Sequence, residues 1–354
     1  MAENAIHSWL EQAARLGASD LHLVTGYAPY VRLHGKLSVL DGGNLELEYL
    51  RELMRELCEP PQWNQFSLEK NLDFAMSHEV DDKLRRCRVN FFVNQNNFGA
   101  CFRLIPDSIP TFEWTGFPRD LAENLANQQN GLVLLTGMTG AGKTTSLAMI
   151  VNLRNEQGNC RIITVEDPIE YVYPRRKNAI VSQREVGNDV SSFADGLRYG
   201  LRQDPDVVLV GEIRDRETAA MALSAAETGH LVFSTLHTRD AKGAISRFAD
   251  LFPQSSQPEV RAQLAMSLRA VVSQHLLPSA FEEKRELALE ILFNNNPIAS
   301  AIRTGKLETI DTAITTGRNE GMVSLDESIR RMLSEGRITR EIALQHCSDR
   351  GSFY

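Results

Sequence analysis

The sequence has few cysteines and no long apolar run. Its five cysteines, at 58, 87, 101, 160 and 347, are odd in number, widely spaced and include no Cys-x-x-Cys pair. That excludes a disulfide framework and a four-cysteine zinc module, and it suits a reduced, cytosolic chain. No apolar stretch approaches the ~18–20 residues that span a bilayer, so no transmembrane helix is expected. The opening MAENAIHSWLEQAARLG is polar and amphipathic, unlike a signal peptide. A basic excess is also missing: the formal net charge is −8, with 11 Lys+Arg against 15 Asp+Glu in residues 1–110 and 27 against 31 in residues 111–354. Neither part supplies the positive field on which phosphate-backbone binding relies, and no stretch mixes aromatic and basic residues as single-strand binders do. Nucleic acid is therefore not an expected partner. What is present is an ordinary globular balance, 42% apolar and 24% charged over 354 residues, which suits two domains.

Pattern separates those domains. Residues 1–105 read as an α+β domain: an amphipathic helix, then strand-like alternation in Ser19–Val24 and Tyr30–Leu37, including His34 and Gly35. Leu50, Leu53, Met54 and Leu57 fall at helical spacing before Pro60-Pro61, and further strands lie around Cys87–Val93 and Gly99–Ile105. Pro106-Asp107-Ser108-Ile109-Pro110 and Pro118 mark an interdomain linker over 106–120, because proline lacks a donor and favours extended neighbours. From 121 to 275, short apolar runs (Leu132–Leu135, Ile162–Val165, Val207–Val210, Leu231–Ser234) alternate with segments long enough for helical crossovers. This predicts an α/β fold with a mostly parallel sheet covered on both faces. Residues 276–354 are expected to be helical, with Val260–Leu277, Ser300–Leu307 and Leu325–Leu333 as the candidate helices of the C-terminal part.

The chemistry concentrates in the second domain. Gly137-Met138-Thr139-Gly140-Ala141-Gly142-Lys143-Thr144 satisfies GxxxxGK[ST] between an expected strand and an expected helix, with Thr145 next. Glycines let backbone N–H groups converge on phosphate oxygens, Lys143 meets the β/γ charge, and the Thr144 hydroxyl suits Mg²⁺. Two apolar strands end in acids at the sheet edge where ligands lie in open α/β folds. Asp206–Gly211 delivers Glu212, placed to hold Mg²⁺ or its water shell. Ile162–Val165 delivers Glu166, which reads either as a base for the attacking water or as a structural N-cap, with Asp167 before Pro168. His230 and His237 bracket the run Leu231–Thr235. Their spacing does not suit a shared metal, which leaves γ-phosphate sensing or ordinary core and cap roles. Arg86 and Arg88 fall on one face of a two-period strand, opposite Cys87, Val89 and Phe91.

The strings GMTGAGKTTS, ITVEDPIEYVY, LRQDPDVVLVGEIRDRET and ETGHLVFSTLHT resemble, in order, the Walker A, aspartate-box, Walker B and histidine-box signatures of the type II/type IV secretion ATPases. The type IV pilus retraction ATPases, the PilT/PilU group, resemble the chain over nearly its whole length, since ASDLHL and CRVNFFVNQ…CFRLIP are similar to that group's N-terminal domain. The resemblance implies a small PAS-like domain followed by a RecA-like ATPase. It further implies ATP and Mg²⁺ as ligands, a homohexameric ring, an inner-membrane platform protein as partner, and in some systems a paralogous retraction ATPase. The implied location is the cytoplasmic face of the inner membrane, and the implied work is pilus disassembly. By position, Glu166 resembles the family's catalytic glutamate, Glu212 its Walker B glutamate, His230 and His237 its histidine box, and Arg88 and Arg103 its arginine fingers. For the two arginines a plain solvent face is the alternative. The stretch 297–306 matches the retraction group's C-terminal motif at Ile302, Arg303, Gly305 and Lys306 but lacks its opening. Two other functions compete on these residues: a low-turnover nucleotide switch in pilus assembly, and a RecA-type motor on nucleic acid, which the charge disfavours.

Overall fold

The computed structural model describes residues 5–33, 36–40, 43–81, 83–105, 108–281 and 284–353. His34 and Gly35 of an expected strand, Pro106 and Asp107 of the expected linker, and residues 1–4 lie outside the described residues. The chain divides into two compact units, Met1–Ser108 and Ile109–Tyr354.

The first unit is built on one antiparallel sheet of six strands. These are β1 (Asp20–Val24), β2 (Tyr30–Leu33), β3 (Lys36–Val39), β4 (Asn71–Val80), β5 (Lys83–Asn94) and β6 (Asn97–Leu104), in the order β3-β2-β1-β6-β5-β4. Alternation decides its two faces. Leu21, Leu23, Cys87, Val89, Phe91, Ala100 and Phe102 are buried. They pack with Ile6, Trp9 and Leu10 of the helix Ala5–Arg15, Leu50 and Met54 of Leu47–Glu56, and Phe66 of Pro60–Glu69. Each fully buried large side chain contributes ~1.5–3 kcal/mol relative to exposure. Pro60 and Pro61 follow one helix but also open the next, where a missing N–H costs nothing in the first turn.

The second unit holds seven strands: β7 (Gly131–Thr136), β8 (Cys160–Glu166), β9 (Ala179–Glu185), β10 (Val207–Val210), β11 (Leu231–Leu236), β12 (Leu268–Pro278) and β13 (Arg285–Phe293). Their order is β13-β12-β7-β11-β10-β8-β9, parallel except for β13, which runs antiparallel to β12. β7, β10 and β11 are buried along their whole length, as continuous apolar strands covered on both faces should be. One face carries the helices Arg119–Ala126 and Lys143–Gln157; the other carries Arg216–Glu227, Ala241–Asp250 and Gln257–Ser267. Among the described residues no helix is long and apolar enough to cross a membrane.

The C-terminal part departs from the helical expectation. Val260–Leu277 is a helix only to Ser267 and continues as β12, and β13 falls inside the stretch read as helical. The run Leu287-Ala288-Leu289-Glu290-Ile291-Leu292 is rich in helix formers, but pairing with the β-branched stretch of β12 overrides that preference. Later segments are helical at Asn296–Thr304, Ile310–Thr316, Leu325–Ser334 and Arg340–His346. In the first of these Ile302 is fully buried, while Gly305 ends the helix at φ 72°, where an added Cβ would meet Arg261 Nη1 at 2.7 Å. Two residues of the 297–306 motif thus have packing reasons of their own.

Candidate nucleotide site

β7 and the helix Lys143–Gln157 are joined by a loop bent through three positive-φ glycines, Gly137 (145°), Gly140 (79°) and Gly142 (83°). A Cβ on Gly137 would fall 2.5 Å from the Gln274 carbonyl oxygen, so β12 forms a floor that only glycine can meet. Around Gly140 nothing lies within 4 Å of such a Cβ, which leaves the loop open on that side. Met138 and Thr139 are exposed and Ala141 is buried. Gly142 is the N-cap and has no side chain to satisfy the first amides of the helix, which suits an anion.

Lys143 is only 7% exposed, and its Nζ donates to the carbonyls of Gly137 (2.8 Å) and Met138 (3.1 Å). Burial lowers its pKa, opposed by the carboxylates of Glu212 and Glu170. Thr144 and Thr145 are half-buried in the first turn, and Thr145 Oγ1 lies 3.0 Å from the Tyr171 hydroxyl.

The acids gather at the same sheet edge. Glu166, the last residue of β8, is 5% exposed; its Oε1 accepts from Thr164 Oγ1 (2.6 Å) and Gln183 Nε2 (3.1 Å). Glu212 follows β10. It pairs with Arg214, and its Oε2 lies 3.1 Å from His237 Nε2. Arg214 also approaches Asp167 at 3.6 Å. Thr144 Oγ1 and the Glu212 carboxylate are hard oxygen donors of the kind Mg²⁺ takes. Among the described residues no cluster of three or more His, Cys, Asp or Glu side chains is placed to hold a metal ion.

The two histidines do not meet. His237 follows β11 at the loop end, whereas His230 precedes it, about 23 Å away at ~3.3 Å per strand residue. His230 Nδ1 lies 3.0 Å from the Ala225 carbonyl and 3.2 Å from Thr228 Oγ1, at the end of the helix Arg216–Glu227. Within one subunit the two imidazoles therefore do not share one site: His237 lies at the loop end of the strand against Glu212, and His230 at its other end.

Arg88 and Arg103 belong to the first unit, directly opposite each other across β5 and β6. Arg103 Nε donates to Asp20 Oδ1 at 2.9 Å, and Arg88 Nη2 lies 3.5 Å from Asp73 Oδ1. Like charges in direct register repel, and the two aspartates offset this. Sequence reasoning missed Gln183, Tyr171, Arg214 and Gln274. Only Arg214 carried a signal, a cation two residues past the strand-end Glu212.

The family model described as "Type II/IV secretion system protein" matches residues 107–348. The chain is 40% identical over 331 residues to the type IV pilus retraction ATPase PilT of Pseudomonas aeruginosa, covering 94% of each. It is also 40% identical over 320 residues to the uncharacterized protein YggR of Escherichia coli, covering 90% of this chain and 95% of that one. A crystal structure of the pilus retraction motor PilT with bound ADP superposes with a TM-score of 0.88 at 38% identity, covering 98% of each chain.

Proposed function

This chain belongs to the type II/IV secretion system protein family, and on that premise we propose that it is an ATP-hydrolysing motor that drives type IV pilus retraction. The observation that carries this reading is the convergence at one sheet edge of an open glycine loop with a buried Lys143, the Glu166 carboxylate, and the Glu212–His237 pair. A protein that only bound nucleotide would need neither acid.

In this reading the amides of residues 137–145 and Lys143 hold the phosphates. Lys143 exchanges the two backbone carbonyls it now bonds for phosphate oxygens. Thr144, with Glu212 directly or through water, would hold Mg²⁺, which when bound would supply positive charge to the phosphates. Glu166, oriented by Thr164 and Gln183, accepts the proton of the attacking water. His237 steers Glu212 and reports on the γ-phosphate. His230 acts away from its own loop. Arg88 and Arg103 serve as arginine fingers, supplying transition-state charge worth ~10³–10⁵ in rate. The assembly is a homohexamer at the cytoplasmic face of the inner membrane, working against a platform protein, with or without a paralogous ATPase. Catalysis is then mostly positioning and charge stabilisation.

The test is steady-state Mg·ATP hydrolysis per subunit as protein concentration rises, with Lys143→Ala as the blank. A rate that climbs steeply and then levels supports sites completed between subunits. A rate no higher than the blank at every concentration refutes the motor and favours the nucleotide switch.

A further inference from the structure

We infer that Gln274 and His275, adjacent on β12, are paired positioning residues that hold the phosphate-loop helix and the His237 segment in a fixed relation. The inference rests on the ATPase reading above. Neighbouring residues of a strand project to opposite faces of its sheet. Gln274 points to the phosphate-loop side: it is 1% exposed, and its Nε2 donates to Ser146 Oγ at 2.8 Å, three residues past Lys143. Its carbonyl is the floor beneath Gly137. His275 points to the other side, where its Nε2 lies 2.8 Å from the carbonyl oxygen of Arg239, two residues past His237. A carbonyl can only accept, so this nitrogen carries the proton. Burial lowers the imidazole's pKa; the hydrogen bond to the Arg239 carbonyl and the Asp240 charge oppose the shift, and the charges of His346 and Arg239 reinforce it.

Neighbouring contacts brace the segment after His237 and the strand that leads into the phosphate loop. Glu290 of β13 accepts from the Ala241 amide at 2.6 Å, Asp240 caps the helix that begins there, and Ser273 bonds Thr136 at 2.8 Å. One further detail argues that Gln274 does more than fill space. Its Oε1 is buried with no hydrogen-bond partner among the described residues, a cost that an apolar side chain of similar size would avoid. The donor to Ser146 is what an apolar replacement would lose. One dipeptide thus touches the loop that grips phosphate and the segment that carries His237 against Glu212, although it lies outside all four sequence signatures.

The experiment compares wild type, His275→Ala and His275→Gln, whose terminal amide can donate to the same carbonyl, with Lys143→Ala as blank. The readouts are kcat, KM, ADP affinity and amide hydrogen exchange over residues 240–243. The expected result for His275→Ala is a kcat about 10–100-fold lower, ADP affinity within about two-fold, and faster exchange at 240–243, with most of the rate regained in His275→Gln. An unchanged kcat overturns the inference. So does a loss that falls equally on kcat, ADP affinity and melting temperature with no recovery in His275→Gln. Wild-type hydrolysis equal to the blank would refute the ATPase reading instead; exchange at 240–243 would then still decide, with no acceleration in His275→Ala overturning the inference.

Discussion

Glu290 gives the sharpest physical prediction. Its carboxyl, largely buried against the start of the helix Ala241–Asp250, has its pKa pushed up from 4.5 to about 7. Burial is the main cause. The Ala241 amide opposes it, Asp240 and Asp311 reinforce it, and Lys242, which pairs with Asp311 at 2.6 Å, opposes it again. A carboxyl whose pKa is higher folded than unfolded holds its proton more tightly in the native state. Its favourable contribution is therefore complete below about pH 4.5 and is lost as pH rises through about 7. That interval is worth about 3 kcal/mol. Glu290→Gln cannot ionise, so its stability relative to wild type should rise by about 3 kcal/mol between about pH 4.5 and pH 8. Calorimetry of the transition that unfolds residues 109–354, run for both proteins across that range, should show the gap in melting temperature move by about 6–12 °C. A gap that stays constant with pH would refute the reasoning.

Gly137→Ala should abolish nucleotide binding, because its Cβ would meet a backbone oxygen of β12 at 2.5 Å and neither chain segment can yield cheaply. Titration with a fluorescent nucleotide checks this, and wild-type affinity would count against it. Arg88→Ala should keep nucleotide affinity within a few-fold yet remove turnover; hydrolysis at the wild-type rate would exclude it as an arginine finger. Arg337→Ala takes two hydrogen bonds, at 2.9 and 2.5 Å, from Glu286, which is 8% exposed. Lys284, 3.6 Å away, compensates in part, so the expected loss is about 2 kcal/mol in the melting of the larger unit. An unchanged melting temperature would show that the pair contributes nothing net.

The phosphate loop was legible because its chemistry dictates residue types at fixed spacing, and β7, β8, β10 and β11 were legible because buried parallel strands leave continuous apolar runs. β12 and β13 were not. Val260–Leu277 keeps a helical period into its first half, and the Leu-Ala-Leu-Glu-Ile-Leu run of β13 favours helix locally, so only long-range pairing reveals either strand. The separation of His230 from His237 was within reach of the sequence, since a six-residue strand between them has to set them far apart. Gln274 was out of reach, because nothing in a lone Ser-Gln-His says which loop it will lie beneath.

The outer edge of β13 is closed by a two-way backbone bridge, Ile291 to Val323, at 2.8 and 3.0 Å. Beyond it, Ile329, Met332, Ile338 and Phe353 cover Leu277 and Ala288 at the far ends of β12 and β13. A chain cut after residue 293 would keep all four nucleotide-site signatures and lose the 297–306 stretch. It would also bare an apolar strand edge, a ready template for strand-to-strand sticking between molecules. The C-terminal sixth of the chain therefore works as a stopper on the sheet, and trimming it to isolate the motor core should yield aggregate in place of a smaller motor.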